Sequence, residues 1–214
     1  ITTISNWAHE ARTDSKSAAR MALGYADDDF IVSYFGNIGI CQDETALLQA
    51  MEQLTNHENI KFLIAGHGSK MPLVRAAAEH LPNVKICGFL TGAAFERAVA
   101  ASSCGIVSLE RGLTGMCAPS KYYSYLQGGL PIIAVTEANS YLAREAQKER
   151  VGKAVLVGDG NSLAAEILAL YASPIEVQEM SVRAENLYQA KYQMSIALDK
   201  YLILLRKILG EKHE

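Results

Sequence analysis

Residues 119–133, with the sequence PSKYYSYLQGGLPII, place a lysine at the start of a predicted helix. Pro119 and Ser120 suit a helix start, where unpaired backbone amides and the helix dipole attract a phosphate. Lys121 is unfavourable in the first turn of an empty helix, because its charge opposes the dipole. A bound anion would remove that conflict, whereas the alternative is that Lys121 points into water. The stretch is therefore a candidate anion site.

Glycine-bearing loops follow the first three predicted strands. In open α/β sheets, ligands bind beyond the carboxyl ends of the strands, where such loops meet helix N-termini. The loop G-N-I-G lacks the lysine and serine of a P-loop and the spacing of a dinucleotide fingerprint. Its glycines still allow close backbone approach to a ligand. The three loops hold Gly36, Asn37, Ile38 and Gly39, then Gly66, His67 and Gly68, then Gly88, Phe89, Leu90 and Thr91.

Two other stretches are candidates for binding a ligand. The loop from Glu110 to Ser120 contains Gly112 and Gly115, which let it fold tightly over a ligand. The triplet Asp27-Asp28-Asp29 resembles a metal-binding cluster, but it precedes the first strand and belongs to the opposite edge. We interpret the triplet as a solvated turn, and we expect no metal site in the chain.

The composition points to a small-molecule or protein partner. The chain has 214 residues, half of them apolar, and a formal net charge of -3 without a long basic run. Nucleic acid and anionic membranes require clustered Lys and Arg, so neither is expected as the main partner. No apolar run is long enough to span a bilayer. The cysteines lack CxxC spacing and suit buried thiols in a reducing cytosol better than disulfides or a zinc site; they are Cys41, Cys87, Cys104 and Cys117.

Apolar runs of strand length alternate with amphipathic stretches, and this order predicts an α/β fold with a doubly wound, Rossmann-like parallel sheet of six strands. Helices are expected to begin near Glu44, Met71, Ala93, Ser120, Ser140 and Ser162. The predicted strands are Ile31 to Phe35, Lys61 to Ala65, Val84 to Cys87, Gly105 to Leu109, Pro131 to Val135 and Ala154 to Val157.

Residues 30–173 are therefore assigned to the sheet domain, between an entry segment and a helical tail. The entry segment, 1–29, begins with a strand-like run at Ile1 and contains a short helical piece from Ser15 to Tyr25. The start at Ile1 without Met suggests a fragment of a longer chain. The tail, 174–214, contains two helices, and the second has an apolar stripe that must cover the sheet domain or a missing neighbouring domain. The stripe consists of Leu198, Tyr201, Leu202, Leu205, Ile208 and Leu209.

An ordered series of motifs links the chain to a known family. They are S-N-W near the start, Y-F-G-N-I-G-I-C-Q-D after the first strand, N-V-K-I-C-G-F, and P-S-K-Y-Y-S-Y-L-Q-G-G-L-P-I-I-A. From Asn6 to Lys207 the chain resembles the carboxy-terminal, nucleotide-sugar-binding half of family 4, group 1 retaining glycosyltransferases with the GT-B fold. The nearest likeness is to the bacterial exopolysaccharide and colanic-acid type.

The resemblance implies an activity and its partners. A hexosyl group would move, with retention, from a nucleoside-diphosphate sugar, UDP- or GDP-linked, to a saccharide or lipid-linked acceptor. No metal or other cofactor is implied. The acceptor site would belong to the protein's own N-terminal domain, absent here, so this chain alone should be inactive. The protein would be cytoplasmic, at the inner face of the cell membrane, with peripheral membrane association.

The resemblance also implies roles for the loops. Gly36, Asn37 and Gly39 would lie by the diphosphate and sugar, with Gly66 and His67 on the neighbouring loop. Gly88, Phe89 and Leu90 would border the nucleobase. Ser120 and Lys121, with the loop from Gly115 through Met116 to Cys117, would face the diphosphate and the transferred sugar.

The chain departs from the family at two acidic positions. The family usually has a glutamate near the donor sugar and a second one that binds the ribose hydroxyls, and these places fall at about Thr114 and at Ser124. A pair of basic residues is also replaced, by Ile40-Cys41-Gln42 and His67. These losses leave open a non-catalytic partner or scaffold in polysaccharide assembly. A sugar-nucleotide epimerase is a third alternative, but only His67 stands at the correct edge for it.

Overall fold

The computed structural model describes residues 2–8 and 14–210. Their centre is a sheet of six parallel strands in the order β3-β2-β1-β4-β5-β6. This is the doubly wound, Rossmann-like arrangement, and it confirms the predicted fold class. The strands are β1 (Phe30–Asn37), β2 (Ile60–His67), β3 (Val84–Cys87), β4 (Cys104–Ser108), β5 (Ile132–Val135) and β6 (Gly152–Val155).

Helices cover both faces of the sheet. Side-chain caps start three of them, because Ser15, Ser140 and Asp159 accept hydrogen bonds from backbone amides three residues ahead. The helices are α1 (Lys16–Leu23), α2 (Thr45–Gln53), α3 (Met71–Ala78), α4 (Gly92–Ala101), α5 (Lys121–Gln127), α6 (Tyr141–Lys148), α7 (Gly160–Tyr171), α8 (Pro174–Lys191) and α9 (Met194–Leu209).

Two hydrophobic cores lie on opposite faces of the sheet. Alternate residues of β1 divide between them: Ile31 and Phe35 join the core under α4, α5 and α6, while Val32 and Tyr34 join the core under α2, α3 and α7. Because both faces are covered, six successive residues of β1 are buried. This continuous apolar run is what identified the strand in the sequence.

The predicted boundaries differ from the structure mainly at β6 and at the amino end. β6 begins at Gly152, two residues before the predicted start, and its register pairs Gly152 with Ile132. A Cβ at Gly152 would lie 1.9 Å from the Ile132 carbonyl oxygen, so the strand can approach its neighbour closely only with glycine there. Residues 2–8 form neither helix nor strand, so the strand-like interpretation of this run is wrong for them. Ile1 lies outside the described residues.

The apolar stripe of α9 is exposed. Leu198 and Tyr201 are each 45% exposed, Ile208 is 70% exposed and Leu209 is 72% exposed. Of the two predicted alternatives, packing of the stripe on the sheet domain is therefore wrong, and packing on a neighbouring domain stays a prediction. Ala197 is the residue of α9 that is buried against the rest of the described chain. None of the helices within residues 2–8 and 14–210 combines the length and apolarity needed to cross a membrane.

The aspartate triplet lies at the amino edge of the sheet, directly before β1. Asp29 is buried and accepts a 2.8 Å hydrogen bond from the Ala26 amide. The Asp27 carbonyl accepts a hydrogen bond from Arg20. The solvated-turn interpretation is therefore correct for the exposed Asp27 and Asp28, whereas Asp29 is a buried residue that holds the turn together.

Candidate functional site

β1 and β4 separate at the point where the strand order reverses. They pair only at Val32 and Ser33, and beyond this point the Phe35 amide donates instead to the Tyr125 hydroxyl at 2.8 Å. The Tyr125 ring occupies the space where Gly105 lacks a side chain, because a Cβ there would lie 2.5 Å from the ring. Tyr125 thus fixes α5 against the diverging strands. Such a switch point is where open α/β sheets bind ligands.

A cleft of about 830 Å³ opens at this switch point. Phe35 and Ala65, near the ends of β1 and β2, form its floor. One wall is α4 with the turn before it, and the other is α5 with the loop before it. The lining includes the predicted residues Gly36, Asn37, Phe89, Leu90, Thr91, Cys117, Ser120, Lys121 and Ser124. The structure therefore brings residues from four separate stretches of sequence into one site.

Lys121 is half-buried in the wall of the cleft, and its Nζ atom is buried. Its Nζ lies 3.6 Å from the centroid of the Tyr34 ring, and no hydrogen-bond partner for it exists among the described residues. The side chain passes over Gly36, whose φ of 103° lies in the left-handed region that favours glycine. Burial lowers the pKa of Lys121 to about 7. The alternative that Lys121 points into water is therefore wrong.

The two predicted serines occupy different environments in the same wall. Ser120 precedes α5, is exposed, and makes no side-chain capping hydrogen bond to this seven-residue helix. Ser124 is half-buried one turn into α5, so a hydroxyl stands on the cleft wall at the position where the resemblance implied an acid. The neighbouring tyrosines at 122, 123 and 125 are buried, as expected for residues that pack the helix.

Asn37 and Gln42 form a polar pair at the mouth of the cleft. The Asn37 amide donates to Gln42 Oε1 at 3.3 Å, and the Gly39 backbone amide donates to the same oxygen at 3.0 Å. Gly39 is buried and does not line the cleft, but a Cβ there would lie 2.9 Å from the Asn37 side chain. Gly39 thus contributes by leaving space for Asn37.

Three residues predicted on the second and third loops stand behind the cleft instead of lining it. A Cβ at Gly66 would lie 1.8 Å from the Gly36 carbonyl oxygen, so glycine here lets β1 and β2 end side by side. The exposed His67 packs against Phe89, with ring centroids 5.1 Å apart. Gly88 is exposed at the turn after β3. Phe89 and Leu90, from the same third loop, do line the cleft.

The predicted residues Thr114, Gly115 and Met116 also lie outside the cleft lining. Thr114 Oγ1 donates to Glu137 Oε2 at 2.8 Å, and the Gly112 amide donates to the same oxygen at 3.1 Å. Met116 is 77% exposed. The loop is therefore anchored away from the cleft by Glu137, which follows β5, and Cys117 is where it returns to the cleft.

Three acidic side chains could hold a cation near this edge, but a lysine already lies among them. Asp43, Glu44 and Glu110 bring carboxylate oxygens within 4.8 Å of one another. Lys70 Nζ lies 2.5 Å from Glu44 Oε2 and 3.2 Å from Glu110 Oε2. Burial lowers the pKa of Lys70, but the two carboxylates outweigh it and the net shift is upward. Glu110 therefore forms an ion pair with Lys70.

The four cysteines are free thiols, and one of them is fully buried. Cys104 lies in β4 with no exposure, as predicted. Cys41, Cys87 and Cys117 are only half-buried, so the prediction of buried thiols is wrong for these three. The reason is that Cys41 and Cys117 lie in loops beside the cleft, whereas Cys87 ends the short edge strand β3.

Several lining residues were missed by sequence reasoning. Phe95 and Val99 on α4 and Gln127 on α5 line the cleft, and Tyr34 lies beneath Lys121. Their sequence pattern is that of ordinary core-facing positions, and nothing in it separates a residue under a helix from one facing an open cleft. The exception is Gln42, whose position in the motif after the first strand marked it as a replacement for a basic residue.

Comparisons with known proteins agree with this architecture. No protein-family model matches the chain. It is 26% identical over 213 residues to the probable glycosyltransferase WbjE of Pseudomonas aeruginosa, covering 97% of this chain and 52% of the relative. The chain thus spans about half the length of that relative.

Two solved structures have the same fold. Sucrose-phosphate synthase from Thermosynechococcus elongatus superposes with a TM-score of 0.77 at 20% identity, covering 94% of this chain and 50% of the synthase. HepE from Anabaena in complex with UDP-glucose superposes with a TM-score of 0.72 at 16% identity, covering 88% of this chain and 52% of HepE. The chain therefore has the fold of half of these longer proteins.

The chain therefore has the fold of a GT-B glycosyltransferase domain, and its sequence is similar to that of a probable glycosyltransferase. These similarities agree with the resemblance to glycosyltransferases that the sequence motifs indicated.

Proposed function

We propose that this chain is the donor-binding domain of a retaining glycosyltransferase that transfers a hexosyl group from a nucleoside-diphosphate sugar. The acceptor would be a saccharide or a lipid-linked saccharide, and the protein's own N-terminal domain would bind it. The complete enzyme would act in the cytoplasm at the inner face of the cell membrane. It would need no metal or other cofactor, and this chain alone would catalyse no transfer.

The observation that carries the proposal is the buried Lys121 Nζ, for which the described part of the chain provides no hydrogen-bond partner. Burying a charge without a partner is unfavourable, and a buried lysine with a pKa near 7 is poised to take up a proton when an anion arrives. A diphosphate in the cleft would supply that partner. As the glycosidic bond breaks, negative charge grows on the leaving diphosphate, and a fixed ammonium group stabilises that charge.

The rest of the cleft matches the other parts of a nucleotide sugar. Phe89, Leu90, Phe95 and Val99 present an apolar surface suited to a nucleobase. The Asn37 amide and the adjacent backbone offer hydrogen bonds at the opposite end. The related fold in HepE was crystallised with UDP-glucose, which supports a nucleotide sugar as the ligand class.

Calorimetry with UDP, GDP, ADP and TDP tests the proposal. We expect one nucleoside diphosphate to bind selectively, with a Kd in the micromolar to millimolar range. Lys121→Ala should abolish the signal, whereas Lys85→Ala, on an exposed lysine that lies over the Tyr25 ring, should not change it. Absence of binding by every nucleotide at millimolar concentration would refute the donor site.

A second candidate function is a non-catalytic partner in polysaccharide assembly. The observation favouring it is Ser124, which presents a neutral hydroxyl to the cleft at the position of the family's ribose-binding acid. A complete protein that co-purifies with assembly enzymes but shows no turnover with any donor would favour this candidate.

Placing an acid at position 124 measures how much a carboxylate there would add to nucleotide affinity. A charged acceptor forms a hydrogen bond about 1 kcal/mol stronger than a neutral one, so Ser124→Glu should tighten nucleotide binding by roughly fivefold to tenfold. Ser124→Gln provides the neutral control of the same length. Equal affinity of the two variants would show that the ribose does not lie against this turn of α5.

A further inference from the structure

Two cysteines face each other across the mouth of the cleft. Cys41 lies in the loop after β1, and Cys117 lies in the loop before α5. Both are half-buried and both line the cleft. Their side chains lie close enough for Cys41 to raise the pKa of the Cys117 thiol, although 75 intervening residues separate them in sequence. Only the fold brings these two thiols together.

The two loops are also joined through the backbone. The Glu110 amide donates to the Cys41 carbonyl oxygen at 2.9 Å, which fixes the beginning of the second loop beside the first. The end of that loop is fixed by Lys121, the first residue of α5. Cys117 therefore lies between two anchored ends of its loop, and one of these ends is joined to the Cys41 backbone.

We propose that Cys41 and Cys117 are a reversible dithiol switch, in which oxidation to a disulfide narrows the mouth of the cleft. The sulfur atoms of a disulfide are only about 2 Å apart, closer than two unbonded sulfur atoms. Forming the bond draws the loop that ends at Ser120 toward the Asn37 side of the cleft. The effect on ligand binding rests on the proposed function, whereas formation of the bond does not.

The oxidant is a low-molecular-weight disulfide such as oxidised glutathione. One cysteine thiolate attacks it, forming a mixed disulfide and releasing one glutathione thiolate. The second cysteine thiolate then attacks the protein sulfur of the mixed disulfide, forms the Cys41–Cys117 bond and releases the second glutathione. Two electrons pass from the cysteines to the oxidant, and their two protons end on the two glutathione molecules.

The environment of the pair sets the conditions of the experiment. Burial and the neighbouring Cys41 both raise the pKa of the Cys117 thiol. Because the thiolate is the attacking species, exchange is slow at neutral pH and faster in mildly alkaline buffer. Incubation at about pH 8.5 is therefore appropriate.

Peptide mapping identifies the bond directly. The full chain is incubated with oxidised glutathione, alkylated and digested with trypsin. Each cysteine falls in a different tryptic peptide: 21–61 holds Cys41, 86–97 holds Cys87, 98–111 holds Cys104 and 112–121 holds Cys117. We expect peptides 21–61 and 112–121 to be linked in the wild type and in the control Cys87→Ser. A link that involves Cys87 or Cys104, or no link at all, would overturn the proposal.

Two further measurements test the narrowing of the cleft. Hydrogen exchange of the 110–120 amides should slow at least fivefold on oxidation and recover with dithiothreitol. The Kd for UDP should rise at least tenfold when the wild type is oxidised. For Cys41→Ser and for Cys117→Ser, the Kd should be the same with oxidised glutathione as with dithiothreitol. A cross-link without slower exchange would refute the switch. If the reduced protein binds no nucleotide, the proposal of a donor site is wrong. The hydrogen-exchange measurement would still test the dithiol switch by itself.

Discussion

Replacing Lys121 by methionine should stabilise the protein while removing its capacity to bind a diphosphate. Methionine keeps the apolar stem that packs over Gly36 and the Tyr34 ring, but it carries no amine. The buried Nζ has no hydrogen-bond partner among the described residues, so its removal leaves no group there unsatisfied. Binding sites often contain residues that lower the stability of the fold, because binding requires a charge that is unpaired in the free protein.

The magnitude follows from the pKa of Lys121. Burial lowers it from 10.5 to about 7, so the folded state opposes protonation of this amine throughout that interval. At pH 7 the difference corresponds to about 4 kcal/mol, and the attraction between the ammonium group and the Tyr34 ring offsets about 1 kcal/mol of it. We therefore expect Lys121→Met to raise the free energy of unfolding at pH 7 by about 3 kcal/mol.

The pH dependence separates this effect from improved packing. Below about pH 7 the lysine must be charged in both folded and unfolded chains, so the full penalty is present there. Between pH 7 and 10.5 the unfolded chain binds more protons than the folded one, so the stability of the wild type rises with pH. The advantage of the methionine variant should therefore decline by about 1.4 kcal/mol per pH unit in this window.

Urea unfolding of both proteins at pH 7, 8, 9 and 10 measures this difference. Lys85→Met is the matched control, because Lys85 also lies over a tyrosine ring, at 5.4 Å, but is exposed. The control should change stability by less than about 0.5 kcal/mol at every pH. A destabilised Lys121→Met variant, or a gain that is the same at all four pH values, would refute the assignment of Lys121 as a buried unpaired amine.

Three further changes test the pH dependence of binding, the approach of β1 to β2, and a partly buried tyrosine–carboxylate bond. Between pH 8 and 9.5 the Kd for UDP should rise about tenfold per pH unit, because free Lys121 loses its proton near pH 7; calorimetry showing a constant Kd would contradict this. Gly66→Ala should cost at least about 3 kcal/mol in urea unfolding, since the new Cβ would lie 1.8 Å from the Gly36 carbonyl oxygen; a smaller loss would mean that the strands separate easily. Glu145→Gln should cost about 1 to 3 kcal/mol, because Tyr192 would lose a charged acceptor at 2.6 Å, and an unchanged midpoint would show that the bond contributes nothing.

The order of strands and helices could be predicted from the sequence because both faces of the sheet are covered. Each strand must then be apolar along its length, and each helix must have one apolar face, so both patterns are visible locally. β3 was predicted with its observed bounds. β6 was misplaced by two residues, because its start is set by the pairing of Gly152 with Ile132, a contact between distant parts of the chain.

The candidate site could be predicted only in part. The glycine loops, Phe89 and the lysine at the start of α5 follow from the rule that ligands bind beyond the carboxyl ends of parallel strands. The same rule also selected His67, and the family resemblance selected Thr114 and Met116; all three stand beside the cleft. Sequence position fixes the strand end that a loop follows, but it does not fix the direction in which each side chain of that loop points.

The sequence by itself determined the fold class, the edge of the sheet that carries the site, and the absence of a glutamate at position 124. These properties depend on residue types and on local periodicity. The tertiary structure decided that Lys121 is buried over Tyr34 and that Cys41 meets Cys117. It also decided that the stripe of α9 is exposed. Those properties depend on contacts between side chains that are distant in sequence. Such contacts are set only when the strands pair in register and the helices pack on the sheet.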